Sequence, residues 1–263
     1  GYSSAASVCI RDRNWTFRCC IMKNKNYAII LAGGSGSRLG KDIPKQYIYV
    51  NGRMIIEYCL ETIALHEMIS GIQIVAADNW QGDLGKSLEK LPVEARDKFI
   101  GFSKPGENRQ QSVYNALEDL AGFTNEQDSV MIHDAARPLL QADLITDSIN
   151  KLDELDGHYD GVMPVLPMKD TVYFCKDGRS VSSLLNREQI FAGQAPELFR
   201  YGKYLAANRA LLPDKILEIN GSTEPAIMAG MNIAMIAGDE RNFKITTAAD
   251  LERFREVIEK SET

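Results

Sequence analysis

NYAIILAGGSGSRLGKDIPKQ, residues 26–46, is the stretch on which the reading of this chain turns. An apolar run, Ala28 to Ala32, stops at Gly33, Gly34, Gly36 and Gly40, and Arg38, Lys41 and Lys45 stand close by. A strand that ends in a loop of small residues exposes backbone N–H groups, and glycine lets those groups close on phosphate oxygens. Nearby cations then hold the charge of a polyphosphate. An ordinary turn between strand and helix explains a pair of glycines. It does not explain this many together with Arg38, Pro44, Lys45 and Gln46.

Two well-known phosphate loops fail on spacing. A Walker A loop needs a glycine five positions before its Gly-Lys and a Ser or Thr after it. Here Ser35 and Asp42 occupy those places around Gly40-Lys41. The dinucleotide fingerprint needs Gly-x-Gly-x-x-Gly, and Leu39 stands where the third glycine belongs.

Outward from the loop, strand and helix patterns alternate. Strands are predicted at Tyr47–Val50, Ile72–Ala77, Phe99–Phe102, Ser129–His133, 159–165 and 232–237, and helices at Met54–Ile63, 80–91, Asn108–Leu120 and 141–155. Alternation of this kind implies a mostly parallel sheet with helices on both faces and ligand loops at the carboxyl ends of the strands. Residues 170–186 break the rhythm and read as a protruding β-hairpin arm, the kind of element that pairs with another subunit. Thr247-Ala-Ala-Asp250 reads as a capping box opening a last helix with Leu251, Phe254, Val257 and Ile258 on its inner face.

The 263 residues are 44% hydrophobic and 25% charged, enough for a substantial core in an α/β domain. A net charge of −6 argues against nucleic acid or an acidic membrane as a bulk-charge partner, so any anion site must be a local cationic pocket. No apolar run reaches membrane-spanning length. Residues 1–21 hold Cys9, Cys19 and Cys20 without a continuous apolar stretch, and Met22 precedes the first strand; these 21 residues read as a leader or an added segment before a domain of residues 22–263. Cys59 and Cys175 are far apart and lack CxxC spacing, as expected of a reduced, cytoplasmic protein.

Two further clusters carry chemistry. His133-Asp134-Ala135-Ala136-Arg137-Pro138 follows a strand, where Asp134 can hold Mg²⁺ and a ribose or polyol hydroxyl, and Arg137 is placed for a phosphate. His133 is given only packing or a local hydrogen bond. Gly106-Glu107-Asn108-Arg109-Gln110-Gln111-Ser112-Val113 opens a helix; Gly106 allows close backbone approach, while Arg109 and Ser112 can read a pyrimidine or its sugar. Lys244, in Asn242-Phe243-Lys244-Ile245-Thr246, is within plausible reach of a triphosphate. His66 and His158 have no partners at ligand spacing, so a zinc site is not expected.

GGSGSRLG…PKQ, GENRQQSV, HDAARP, Asp170-Thr171-Val172, Asn186-Arg187…GQAPELF and NFKIT, in this order across residues 27 to about 260, resemble the polyol-phosphate cytidylyltransferase family of 4-diphosphocytidyl-2-C-methylerythritol synthase and ribitol-5-phosphate cytidylyltransferase. The resemblance implies a Rossmann-like fold, Mg²⁺, a homodimer joined through the arm, and transfer of a cytidylyl group from CTP to a small polyol phosphate. It implies that Arg38, Lys45 and Lys244 are catalytic, and that Leu31, Ala32, Gly33, Gly34, Ser35, Gly36, Gly106, Arg109, Ser112 and Ala135 hold the nucleotide. Asp134, Arg137, Thr171 and Arg187 match residues around the polyol phosphate. The chain departs from the family at Tyr173, at Ala195-Pro196-Glu197 where the family has Thr-Pro-Gln, and at Ser222-Thr223-Glu224-Pro225-Ala226. These departures fall on the acceptor side. 2-C-Methylerythritol 4-phosphate is the expected acceptor, ribitol 5-phosphate the alternative, and a non-catalytic nucleotide-binding protein the alternative of another class.

Overall fold

The apolar run of the opening motif becomes the strand at the centre of the molecule. In the computed structural model, which describes residues 24–34, 43–154 and 158–261, β1 (Asn26–Leu31) is buried over nearly its whole length. Successive strand side chains point to opposite faces; Ala28 and Ile30 enter one hydrophobic cluster, Tyr27 and Ile29 another. A strand covered on both sides needs no polar alternation, which is why its sequence is continuously apolar.

β4 (Ile69–Val75) and β6 (Ser129–Asp134) flank β1 in parallel, and β5 (Phe99–Ser103) extends the parallel set beyond β4. On one face α1 (Ile55–Leu65), α2 (Asp78–Glu89) and α5 (Ala142–Asp153) bury Leu60, Leu84 and Ile145 against Ala28, Ile30 and Met131. On the other, α4 (Arg109–Asp119) and α6 (Tyr201–Arg209) pack Val113, Leu117 and Tyr204 on Ile29, Ile132 and Phe199. Val113, Ala116, Leu117 and Leu120 are all fully buried, as the helical spacing predicts.

Beyond β6 the sheet becomes mixed. β7 (Gly161–Pro167), β10 (Phe191–Gly193), β11 (Glu197–Arg200) and β12 (Ile233–Ala237) complete eight strands in the order β10-β7-β11-β6-β1-β4-β5, with β12 beside β7. β11 runs antiparallel between β6 and β7, and β10 antiparallel along β7. The expected fold class is therefore observed, with an antiparallel insertion that the strand–helix alternation did not announce. The arm is a separate pair, β8 (Val172–Phe174) against β9 (Ser183–Leu185), shorter than residues 170–186 and carrying exposed Tyr173, Phe174, Val181 and Leu184.

Two local expectations are corrected. Tyr47 is not in a strand: Pro44 opens a 3-10 turn, Lys45–Tyr47, closed by the Tyr47 amide on the Pro44 carbonyl, and only β2 (Tyr49–Val50) is extended, paired with β3 (Arg53–Met54). In α8 (Ala248–Ser261), Leu251, Phe254 and Ile258 are buried but Val257 is 38% exposed, because the buried stripe is narrower than predicted. The capping box does form: Asp250 Oδ2 accepts from the Thr247 amide at 2.8 Å and Thr247 Oγ1 from the Asp250 amide at 3.2 Å. α8 then packs on Ile48, Ile55 and Ile245, tying the C-terminal loop to the body. Among the described residues no helix is long and apolar enough to cross a membrane. The expectation for residues 1–21 lies outside the described residues.

Candidate active site

The carboxyl ends of β1 and β6 lie side by side, Leu31 opposite Asp134, and a cleft of 610 Å³ opens above them. Gly33, Gly34, Lys45 and Gln46 form one wall, Gly106 to Arg109 with Ser112 another, and Asp134, Lys244 and Thr246 the floor. Parallel strands deliver ligand loops to this edge, so the position follows from topology.

Asp134 is the hub. Its Oδ1 accepts from Arg109 Nη2 at 3.0 Å and Nε at 3.2 Å, its Oδ2 accepts from Lys244 Nζ at 2.9 Å, and Arg137 Nε lies 3.7 Å from Oδ2. Burial alone would push the carboxyl up, but Arg109, Lys244 and Arg137 overcome that and hold it well below the usual carboxylate range. The group stays ionised. Arg109 is half-buried, which opposes its charge; Asp134 and Glu197 more than compensate and raise it.

Each cation is fixed from behind. Arg109 Nη1 also donates to Ser222 Oγ, and Nη2 lies 4.0 Å from Glu197 Oε2. Arg137 Nη1 donates to the Asn242 carbonyl at 2.7 Å, and the Ile245 amide donates to the Ala136 carbonyl at 2.8 Å. The Lys244 loop is thus sewn to the turn after β6 on both sides of the lysine. Asn242 Nδ2 donates to the Ala195 carbonyl at 2.6 Å, and Gln194 Nε2 to the Asp239 carbonyl at 3.0 Å. His133 is fully buried with Nε2 3.0 Å from the Arg137 carbonyl, the local role expected of it.

The opposite wall is built by the start of α4. Asn108 caps the helix, its Oδ1 accepting from the Gln111 amide at 2.8 Å. Ser112 Oγ accepts from the Gly106 amide at 2.9 Å and donates to the Asn108 carbonyl at 2.8 Å. Its hydroxyl thus shapes the loop, while Ser112 itself lines the cleft. A Cβ on Gly106 would meet Gln111 at 2.6 Å, so this turn requires glycine.

Of the predicted residues, Leu31, Gly33, Gly34, Lys45, Gly106, Arg109, Ser112, Asp134 and Lys244 line one cleft. Ala32 and Ala135 are buried beneath it in the sheet: the Ala32 amide donates to Val75, the Ala135 amide to Leu31. Arg137 sits behind Asp134. Ser35, Gly36 and Arg38 fall outside the described residues. Thr171 and Arg187 are exposed at the base of the arm and do not line the cleft of their own chain; Arg187 Nη1 donates to the Lys169 carbonyl at 3.0 Å. Sequence reasoning passed over Glu197, Ser222 and Asn242 as part of this cluster, although all lie in segments that carry the resemblance or depart from it.

Known proteins share the sequence and fold of this chain over most of its length. The family model described as "IspD: 2-C-methyl-D-erythritol 4-phosphate cytidylyltransferase" matches residues 27–260. The 2-C-methyl-D-erythritol 4-phosphate cytidylyltransferase of Thermotoga neapolitana is 34% identical, covering 88% of this chain and 95% of that protein. The enzyme of the same description from Geobacter metallireducens is 31% identical, over 86% and 94%. Among solved structures, the Francisella tularensis enzyme superposes with a TM-score of 0.73 at 28% identity, covering 89% of this chain and 99% of that one. The synthase structure from Anaerococcus prevotii, at 23% identity, shares the fold with a TM-score of 0.74 over 90% and 96%.

Proposed function

The chain belongs to the 2-C-methyl-D-erythritol 4-phosphate cytidylyltransferase family, and from that premise we infer that it transfers a cytidylyl group from CTP to 2-C-methyl-D-erythritol 4-phosphate. An acceptor phosphate oxygen attacks the α-phosphorus of CTP, the bond from that phosphorus to the bridging oxygen breaks, and pyrophosphate leaves with the electron pair. The acceptor phosphate is already ionised near neutral pH, so no general base is required. The protein's task is in-line positioning and stabilisation of the charge on the reacting phosphorus.

One observation carries the reading: Asp134 gathers Arg109 and Lys244 in the lining of a cleft, with Arg137 behind, and the glycine loop and Lys45 line the same cleft. In the proposed assignment Gly33 and Gly34 line the triphosphate, and Lys45 and Arg38 neutralise the departing pyrophosphate. Lys244 stands at the α-phosphate, and Arg109 with Gly106 flanks the nucleoside.

We assign Mg²⁺ to Asp134 and the triphosphate together. Among the described residues no group of three or more His, Cys, Asp or Glu side chains forms a metal cage. Mg²⁺ is commonly held by one or two carboxylates plus substrate phosphates, and Asp134 would be the protein's ligand. When bound, the ion draws charge from the phosphate oxygens.

The exposed apolar arm supports a homodimer in which the arm of each protomer carries Thr171 and Arg187 toward the cleft of its partner. Cys59 and Cys175 are free thiols, in keeping with a reducing cytoplasm. The test is pyrophosphate release from CTP and Mg²⁺ with 2-C-methyl-D-erythritol 4-phosphate and ribitol 5-phosphate in parallel. Turnover with the first is expected. Faster turnover with ribitol 5-phosphate overturns the acceptor, and CTP binding without release from either acceptor marks a non-catalytic binding protein.

A further inference from the structure

The 3-10 turn that carries Lys45 also carries two side chains that reach back to the glycine loop. Gln46 Nε2 donates to the Ala32 carbonyl at 2.6 Å and to the Gly34 carbonyl at 2.8 Å, and Tyr47 Oη donates to the same Ala32 carbonyl at 3.0 Å. Gln46 is 4% exposed and Tyr47 1%. Burial raises the Tyr47 hydroxyl far above its ordinary value, so it stays a donor. Its ring stacks on Trp80 of α2, centroids 4.1 Å apart and planes 9° from parallel, which fixes the hydroxyl against a helix.

A carbonyl oxygen has two lone pairs, and both on Ala32 are taken. The Ala32–Gly33 peptide is trans, so its N–H points opposite to its C=O. Holding the carbonyl toward Gln46 and Tyr47 therefore turns the Gly33 amide to the other side. Pro105 closes the remaining freedom: a Cβ on Gly33 would stand 2.7 Å from Pro105 Cγ. The peptide is clasped on one side and walled on the other.

We propose that Gln46 is a positioning residue for CTP, orienting the Ala32–Gly33 peptide so that it presents the Gly33 N–H rather than a carbonyl oxygen to the phosphate tail. It rests on the nucleotide reading above. The clasp has a second consequence: the loop and Lys45 are held by one three-residue turn, so the cation and the amides keep a fixed separation. A carbonyl turned toward a triphosphate would repel it. The role thus concerns phosphate and leaves the nucleoside untouched.

Gln46→Met keeps the length of the side chain and removes both donated bonds. Affinities for CTP with Mg²⁺ and for cytidine, which lacks phosphates, are to be measured by calorimetry and ligand-observed NMR on wild type and variant. The variant is expected to bind CTP at least about tenfold more weakly, on the scale of two lost hydrogen bonds, with cytidine affinity unchanged. CTP affinity within twofold of wild type, or an equal loss for cytidine, overturns the proposal. Wild type that takes up no CTP sinks the nucleotide reading as well. Should Gln46→Met fail to fold, Tyr47→Phe removes one donor from Ala32, and a roughly threefold loss confined to CTP is expected; an unchanged or equal effect again refutes it.

Discussion

His133 offers a measurement of the electrostatics beneath the cleft. Its imidazole is fully buried in β6, Nε2 faces the Arg137 carbonyl, and Nδ1 has no hydrogen-bond partner. A proton added at Nδ1 would place a charge where neither water nor an acceptor meets it. Burial therefore pushes the group down to about 4, the positive charges of Arg137 and Lys244 adding to the effect while the Arg137 carbonyl and Asp134 oppose it. In the unfolded chain the same group titrates near its ordinary value of about 6.5.

Between those two values the unfolded state binds the proton and the folded state does not. Stability is therefore full above about pH 6.5, falls as pH drops toward 4, and is flat below. The fall amounts to about 3 kcal/mol, at roughly 1.4 kcal/mol per pH unit. Urea unfolding of wild type and His133→Gln from pH 7.5 to 3.5 isolates the residue, because every other titrating group is common to both. The variant will start less stable, but the gap should close by about 3 kcal/mol across the window. A gap constant to within about 0.5 kcal/mol, the ordinary spread of neutral substitutions, refutes the argument. So would NMR titration of His133 in the native protein above pH 6.

Three more outcomes are expected. Lys45→Ala and Lys244→Ala should each lower turnover about 10²- to 10³-fold while circular dichroism stays native, on the scale of one lost transition-state donor; near-wild-type pyrophosphate release would remove that lysine from the mechanism. Asp134→Asn leaves Arg109, Lys244 and Arg137 without their shared counterion and should lower the stability read from urea midpoints by about 3 kcal/mol, as for a broken buried pair. Asp250→Ala removes the α8 capping box and should cost about 1 kcal/mol, measured by thermal unfolding.

What was legible in the sequence was what local chemistry dictates. β1 is almost continuously apolar and β6 is apolar at its centre, Val130–Ile132, because both are covered on both faces, and α4 shows its buried stripe at helical spacing. The glycine loop, the Arg109 segment and the Asp134 turn each stood out because their residue types are unusual for plain turns. β10 and β11 did not: they are three and four residues long, too short to display a period, and their place is set by pairing with distant β6 and β7. α6 was hidden because polar Asn208 is buried inside it, its amide donating to the Tyr204 carbonyl, so no clean apolar face repeats. Ser112 shows a different limit. Its hydroxyl has the chemistry to read a base, and only the folded loop reveals its two backbone partners.

The same long-range logic explains how an acidic protein keeps a cationic cleft. Cations meant for one polyphosphate must sit close together before it arrives, and at ~4 Å a like-charged pair costs about 4 kcal/mol in a partly screened site. Asp134 offsets that repulsion by taking Arg109 on one carboxylate oxygen and Lys244 on the other, with Arg137 behind. One negative charge among three positive ones assembles the cluster without cancelling it. Because those same cations hold the carboxyl ionised, the arrangement does not relax by protonation as pH falls through the ordinary carboxylate range. Glu197 differs: burial raises its carboxyl even though Arg109 Nη2 lies 4.0 Å from its Oε2. The cluster keeps a surplus of positive charge within a protein whose overall charge is −6, the local cationic pocket that an anion site in such a protein requires.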